Sequence, residues 1–179
     1  LVNDDRRFWT EEAAGAGALR WDEDIWRAAL GHSRDMCERN YFEHDSPEGL
    51  SAGDRMRASG VTMRGWGENI SLYPTPLTIE YSFMAEPTCT GHRGNILAPG
   101  FTRGASALFA CNNPSSEWNG YPFTTQNFVA DGGLNPSPYC NDPQTACEDA
   151  PDPVSTSRQW CPLEGSRCQD VEGPAQWDC

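Results

Sequence analysis

Apolar residues recur along this chain first at helical spacing and later in alternation. From Asp22 onward, Ile25, Ala29, His32 and Met36 follow the helical period, so they share one face of a helix ending near Asn40. Asp22 is its expected N-cap, since its carboxylate can accept from the free backbone amides, and Glu23 and Asp24 suit the helix dipole. Upstream, a charge-rich helix is predicted from Leu1 to about Ala14, with a partial apolar face from Leu1, Arg6, Phe8 and Trp9, broken at Gly15-Ala16-Gly17. Ser51 to Ser59 reads as a short helix stopped by Gly60, and Asp54 and Arg55 inside it as partners in surface or structural ion pairs. Leu77 to Glu86 reads as a further helix, apolar along Ile79, Phe83 and Met84 and ended by Pro87, with a loop then carrying Cys89 and delivering Gly91-His92. Two strands are expected at Ser106–Cys111 and Tyr121–Val129, the second in part alternating. Helices first and paired strands afterwards predict an α+β layer fold.

Composition changes after about Asp131. Residues 132–179 are rich in Pro, Asp, Gln and Cys and too poor in aliphatics for a core of their own. The expected organisation is a main domain over 1–131 with a cysteine-rich extension, 132–179, packed on it. The chain has 179 residues, long enough for one cored domain plus such an extension. Its eight cysteines (Cys37, Cys89, Cys111, Cys140, Cys147, Cys161, Cys168 and Cys179) include no CxxC pair, so zinc-ribbon spacing is absent and disulfides in an oxidising compartment are expected. Three cysteines precede the extension and five lie in it. If all are paired within the chain, at least one bridge must join extension to domain.

A formal charge of −13 argues against nucleic acid or an anionic membrane as partner, because phosphates would be repelled. No apolar run approaches the roughly 20 residues of a membrane helix. The chain starts at Leu1 without Met, and the expectation is a mature or trimmed, secreted form. Asp142, Glu148, Asp149 and Asp152 fit no EF-hand spacing and read as a solvated acidic loop.

Three stretches carry candidate chemistry. Gly65-Trp66-Gly67-Glu68-Asn69-Ile70 and Gly91-His92-Arg93-Gly94-Asn95-Ile96-Leu97 each set an ionisable residue among glycines, which permit close approach and unusual dihedrals. The third is Tyr41-Phe42-Glu43-His44-Asp45-Ser46-Pro47. If they meet, His44, Glu68 and His92 share a cleft. Ser46 beside His44 reads as turn chemistry rather than as a nucleophile. His32, on an apolar stripe, reads as a core histidine bonded to a loop carbonyl. Asn69-Ile70-Ser71 is formally a glycosylation sequon.

The motifs Leu19-x-Trp21-Asp22, His32-Ser33-x-Asp35-Met36, Tyr41-Phe42-x-His44-x-Ser46-Pro47-x-Gly49, Asp54-Arg55, Gly67-Glu68-Asn69-Ile70, Gly91-His92-Arg93-x-Asn95-Ile96-Leu97 and Gln126-Asn127-Phe128 occur in this order. Together they resemble the CAP superfamily of cysteine-rich secretory, antigen 5 and pathogenesis-related proteins, in its bacterial secreted, SCP-like branch. The resemblance implies a three-layer α-β-α sandwich with a central antiparallel sheet. It implies a cleft with His44 and His92 as metal ligands and Glu68 and Glu86 acting directly or through water, so that Zn2+ or another divalent cation is the expected cofactor, with no organic one. It also implies that Asn69 is buried and carries no glycan.

The implied function is a secreted binding or interaction module, a monomer whose ligand is a lipid, a glycan or a protein. One alternative is an extracellular hydrolase with Glu68 or Glu86 as the candidate catalytic residue. The other is a disulfide-stabilised scaffold with an inert cleft. The reading favours binding over catalysis, because the sequence has neither a nucleophile elbow nor an HExxH helix.

Overall fold

The helical stripe from Ile25 becomes the longest element of the structure, a computed structural model that describes residues 1–132, 134 and 140. In chain order the elements are α1 (Val2–Phe8), β1 (Arg20–Trp21), α2 (Glu23–Arg39), α3 (Ala52–Ala58), β2 (Gly65–Ser71), α4 (Pro76–Met84), α5 (Gly91–Leu97), β3 (Arg103–Ala110) and β4 (Pro122–Ala130). Asp22 caps α2 as expected, accepting from the amides of Asp24 and Ile25, and Asn40 closes the helix in the left-handed conformation at φ 58°.

The sheet order is β1-β3-β4-β2. β3, β4 and β2 are antiparallel, and the two-residue β1 joins β3 in parallel. Alternation along β4 sends its side chains to two cores. Val129 packs with Ile25, Ala28, Met56 and Ala105 under α2 and α3. Phe123 meets Met36, Ile70 and the Cys37–Cys111 bridge on the same side. Phe128 packs with Ile79, Phe83, Ile96 and Phe101 under α4 and α5. The sandwich therefore has α2 and α3 on one face of the sheet and α1, α4 and α5 on the other.

One expected element is corrected, and two stretches left without an element gain one. The first helix stops at Phe8, six residues early, and the following turns bring Glu12 inward against Arg93, whose guanidinium also lies over the Trp9 ring. The Gly65–Ile70 stretch is a strand. Its glycines supply room: a Cβ on Gly67 would stand 2.8 Å from Asn95 Oδ1 and 2.9 Å from the Phe101 ring. The Gly91–Leu97 stretch is a helix, with Gly91 at φ +49° entering it.

Cys89–Cys140 joins the two parts of the chain between which a bridge is expected if all eight cysteines are paired within it. Cys147, Cys161, Cys168, Cys179 and the acidic loop at Asp142–Asp152 lie outside the described residues. Among the described residues no helix is long and apolar enough to cross a membrane.

Candidate functional site

The site is organised by the pleat of β2. Glu68 and Asn69 are neighbours on this strand, so their side chains leave opposite faces of the sheet. Glu68 points toward α2 and α3, where its side chain is almost wholly buried. His44 Nδ1 stands 3.0 Å from Glu68 Oε1, and Arg55 Nη2 donates to Glu68 Oε2 at 2.6 Å. A carboxylate only accepts, so the His44 proton sits on Nδ1 and the Nε2 lone pair is left free. The bond to Glu68 raises the His44 pKa above its ordinary value, against the opposing effect of burial. His44 is more than half exposed and lines a shallow pocket of about 470 Å3 with Tyr41, Glu43, Asp45, Ser46 and Pro47.

His32 is the core histidine that the apolar stripe predicted. Its Nε2–H donates to the Glu43 carbonyl at 3.1 Å, while Glu68 Oε1 lies 3.8 Å away, beyond a hydrogen bond. Burial pushes its pKa down to about 4, so the ring is neutral at ordinary pH. Ser46 is likewise a turn residue, its Oγ accepting from the Leu50 amide at 3.2 Å.

The second histidine belongs to the other layer. Glu86, just past α4, accepts from His92 Nδ1 with one oxygen and from the His92 amide at 2.6 Å with the other. The imidazole stacks on Phe83 of α4, with centroids 4.3 Å apart and planes inclined by 17°. Burial alone would raise the Glu86 pKa, but the bonds and charge of His92 outweigh it and hold the carboxyl below its ordinary value. The Pro87-Thr88-Cys89-Thr90 connection thus brings Glu86 to His92.

Buried amides join the two halves. Asn69 Nδ2 donates to the His92 carbonyl at 3.2 Å and to Gln126 Oε1 at 3.0 Å. Asn95 Nδ2 donates to Asn69 Oδ1 at 2.9 Å and to the Glu68 carbonyl at 3.3 Å. Gln126 Nε2 continues the chain to Glu80 Oε2 at 3.0 Å. Asn69, the formal sequon residue, is fully buried in this network.

The four expected ligands therefore form two histidine–carboxylate pairs. Among the described residues no three His, Cys, Asp or Glu side chains come together as a group able to hold a metal ion. The expected ligand set does not fit a metal as these residues stand. The carboxylates arrive from opposite layers, each is committed to its own histidine, and Glu68 is bonded to Arg55 as well. Sequence reasoning left Arg55 as a generic ion-pair residue. The signal was Ser51-x-x-Asp54, a capping box that fixes the start of α3 and hence the face on which Arg55 emerges. It also missed Glu80, buried beside Asp5 of α1.

Residues 1–128 match the family model described as CAP, the cysteine-rich secretory protein family. The chain belongs to this family. Among proteins of Bacillus subtilis (strain 168), it is 38% identical over 89 residues to the uncharacterized protein YkwD. It is 36% identical over 90 residues to the uncharacterized membrane protein YlbC. Each match takes in 49% of this chain but only 34% and 25% of the relatives' own lengths. Among solved structures, an extracellular SCP-domain protein from Bacillus anthracis str. Ames superposes with a TM-score of 0.55 at 28% identity, over 72% of this chain and 39% of that one. An outer surface protein from Borrelia burgdorferi gives a TM-score of 0.56 at 10% identity, over 72% of this chain and 93% of that one, a likeness of fold alone.

Proposed function

We propose that this CAP domain is a binding module displayed outside the cell, which takes its ligand in the pocket beside His44 without transforming it. The carrying observation is that both glutamates considered for catalysis are committed inside the protein. Glu68 is bonded to His44 and Arg55, and Glu86 to the ring and amide of His92. Neither is free to take a proton from water. The pocket is lined by the His44 imidazole, oriented through its Nδ1, among Tyr41, Glu43 and Asp45, a surface suited to recognition. Location outside the cell rests on the two disulfides, which persist in oxidising compartments, and on the extracellular description of the 28%-identical SCP-domain relative.

One observation favours a second reading. Glu68 behind His44 Nδ1 is the arrangement of an oriented general base, and a hydrolase would use His44 Nε2 to activate water. The two readings separate in one experiment. A panel of surface glycans, fatty-acid vesicles and peptides is screened by thermal shift, and the same panel is assayed for hydrolysis. The binding reading expects a saturable rise in Tm, weakened by Tyr41→Ala, with no turnover. Turnover that disappears in a folded Glu68→Gln variant contradicts it and establishes the hydrolase.

A further inference from the structure

Glu68 needs a counter-charge, because a carboxylate taken out of water is costly unless it is paired. Three basic groups face it. His32 lies 3.8 Å away on α2, in a ring that burial keeps neutral. His44 lies 3.0 Å away and reaches out to solvent. Arg55 is the permanent cation, 2.6 Å from Oε2 and only 12% exposed. The same guanidinium donates through Nη1 to the His44 carbonyl at 2.9 Å and to the Leu50 carbonyl at 2.7 Å. One side chain thus fastens the His44 loop to β2 through three acceptors.

Its position is itself fixed. The Ser51–Asp54 capping box sets the first turn of α3. Gly53 lets α3 lie against β2 so closely that a Cβ there would stand 2.4 Å from Trp66 Nε1. The helix that carries Arg55 is thus held against β2, and the guanidinium is held at Glu68 by its three hydrogen-bond acceptors. A divalent cation bound at Glu68 would have to sit beside this guanidinium, and two like charges a few ångströms apart in a poorly hydrated site repel strongly.

We propose that Arg55 is the resident cation of this cleft: it fills the place at Glu68 that a divalent metal ion would require, and by doing so makes His44 a carboxylate-oriented hydrogen-bonding group instead of a metal ligand. Arg55 is then the residue that decides whether Glu68 and His44 hold a metal. Removing its charge uncovers a two-ligand site of Glu68 and His44. The exclusion of metal holds whichever ligand the module takes, so this proposal and the binding reading fail separately.

The test is calorimetric titration of zinc into the whole, metal-stripped, disulfide-intact chain at about pH 7.5, where zinc does not compete with protons for the histidines. The wild type is expected to show no one-site binding at zinc up to about 100 μM. Arg55→Gln is expected to gain a single site at least about tenfold tighter than any wild-type binding, roughly 1.4 kcal/mol. Arg55→Gln/Glu68→Gln should lose that site, and Arg55→Lys, which restores the charge, should again exclude zinc. A wild-type zinc site that vanishes in Glu68→Gln overturns the proposal, as does a folded Arg55→Gln variant that gains nothing. Should Arg55→Gln fail to fold, the wild type and Glu68→Gln decide: no zinc site in the wild type upholds it, and a Glu68-dependent one overturns it.

Discussion

Glu68 and Glu80 lie almost equally deep, one on each face of the same sheet, and their burial is offset in different ways. Glu68, on β2, meets the Arg55 guanidinium and the His44 ring. Glu80, on α4, meets another carboxyl, Asp5 of α1, and the amide of Gln126. Burial, reinforced by the Asp5 charge, pushes Glu80 up to about 8, and burial raises Asp5 too. Glu80 Oε1 and Asp5 Oδ2 have no partner among the described residues. One glutamate is held by a fixed cation and the other by keeping its proton. The first arrangement makes a site that orients a histidine, and the second makes the fold sensitive to alkali.

The comparison breaks most sharply at Arg55. Arg55→Gln leaves a buried carboxylate with no permanent counter-charge and is expected to lower stability by about 3–5 kcal/mol in urea unfolding. Part of that loss should return on adding zinc, through mass action on the folded state.

Next comes Glu80. A group whose folded pKa lies above its ordinary 4.5 contributes stability in full below 4.5 and loses it as pH rises through about 8. Glu80→Gln should remove that alkaline loss, making the variant more stable than the wild type at about pH 9 by a few kcal/mol, on the order of what such a shift represents. Equal slopes in both proteins between about pH 4.5 and 8 would contradict a Glu80 that keeps its proton.

His32 supplies the acid limb. Its folded pKa of about 4 lies below the ordinary 6.5, so its contribution is present above 6.5 and is lost as pH falls toward 4. His32→Gln keeps a donor for the Glu43 carbonyl and should flatten that limb by about 2–3 kcal/mol in the same unfolding series.

The smallest effects are expected at the two helix caps that position these groups. Ser51→Ala undercuts α3, which carries Arg55, and Thr75→Ala undercuts α4, which carries Glu80. Each should cost about 1 kcal/mol. Only Ser51→Ala should also alter the His44 ring resonances.

This contrast also marks what the sequence revealed. The α2 stripe, its Asp22 cap and the core role of His32 follow from local periodicity and capping, and they stand where they were expected. The histidines and carboxylates of the cleft were legible as residues, through motifs. Their division into two pairs was not, because it depends on which way Glu68 leaves β2. Nothing in Gly-Trp-Gly-Glu-Asn-Ile marks a strand, since glycine and asparagine are poor strand formers. Here Gly67 makes room for the close approach of Asn95 and Phe101. The Arg55–Glu68 and Asp5–Glu80 contacts join residues 13 and 75 positions apart, a matter of tertiary packing alone.

The central claim is that each cleft glutamate is spent on its own histidine, and the ring protons test it directly. A long-range nitrogen–proton NMR spectrum of the three imidazoles, recorded where all are neutral, reads which nitrogen carries the proton. The account expects His44 and His92 as Nδ1–H, donating to Glu68 and Glu86, and His32 as Nε2–H, donating to the Glu43 carbonyl. Finding His44 or His92 protonated on Nε2 would mean that its carboxylate is free, and would contradict the paired cleft.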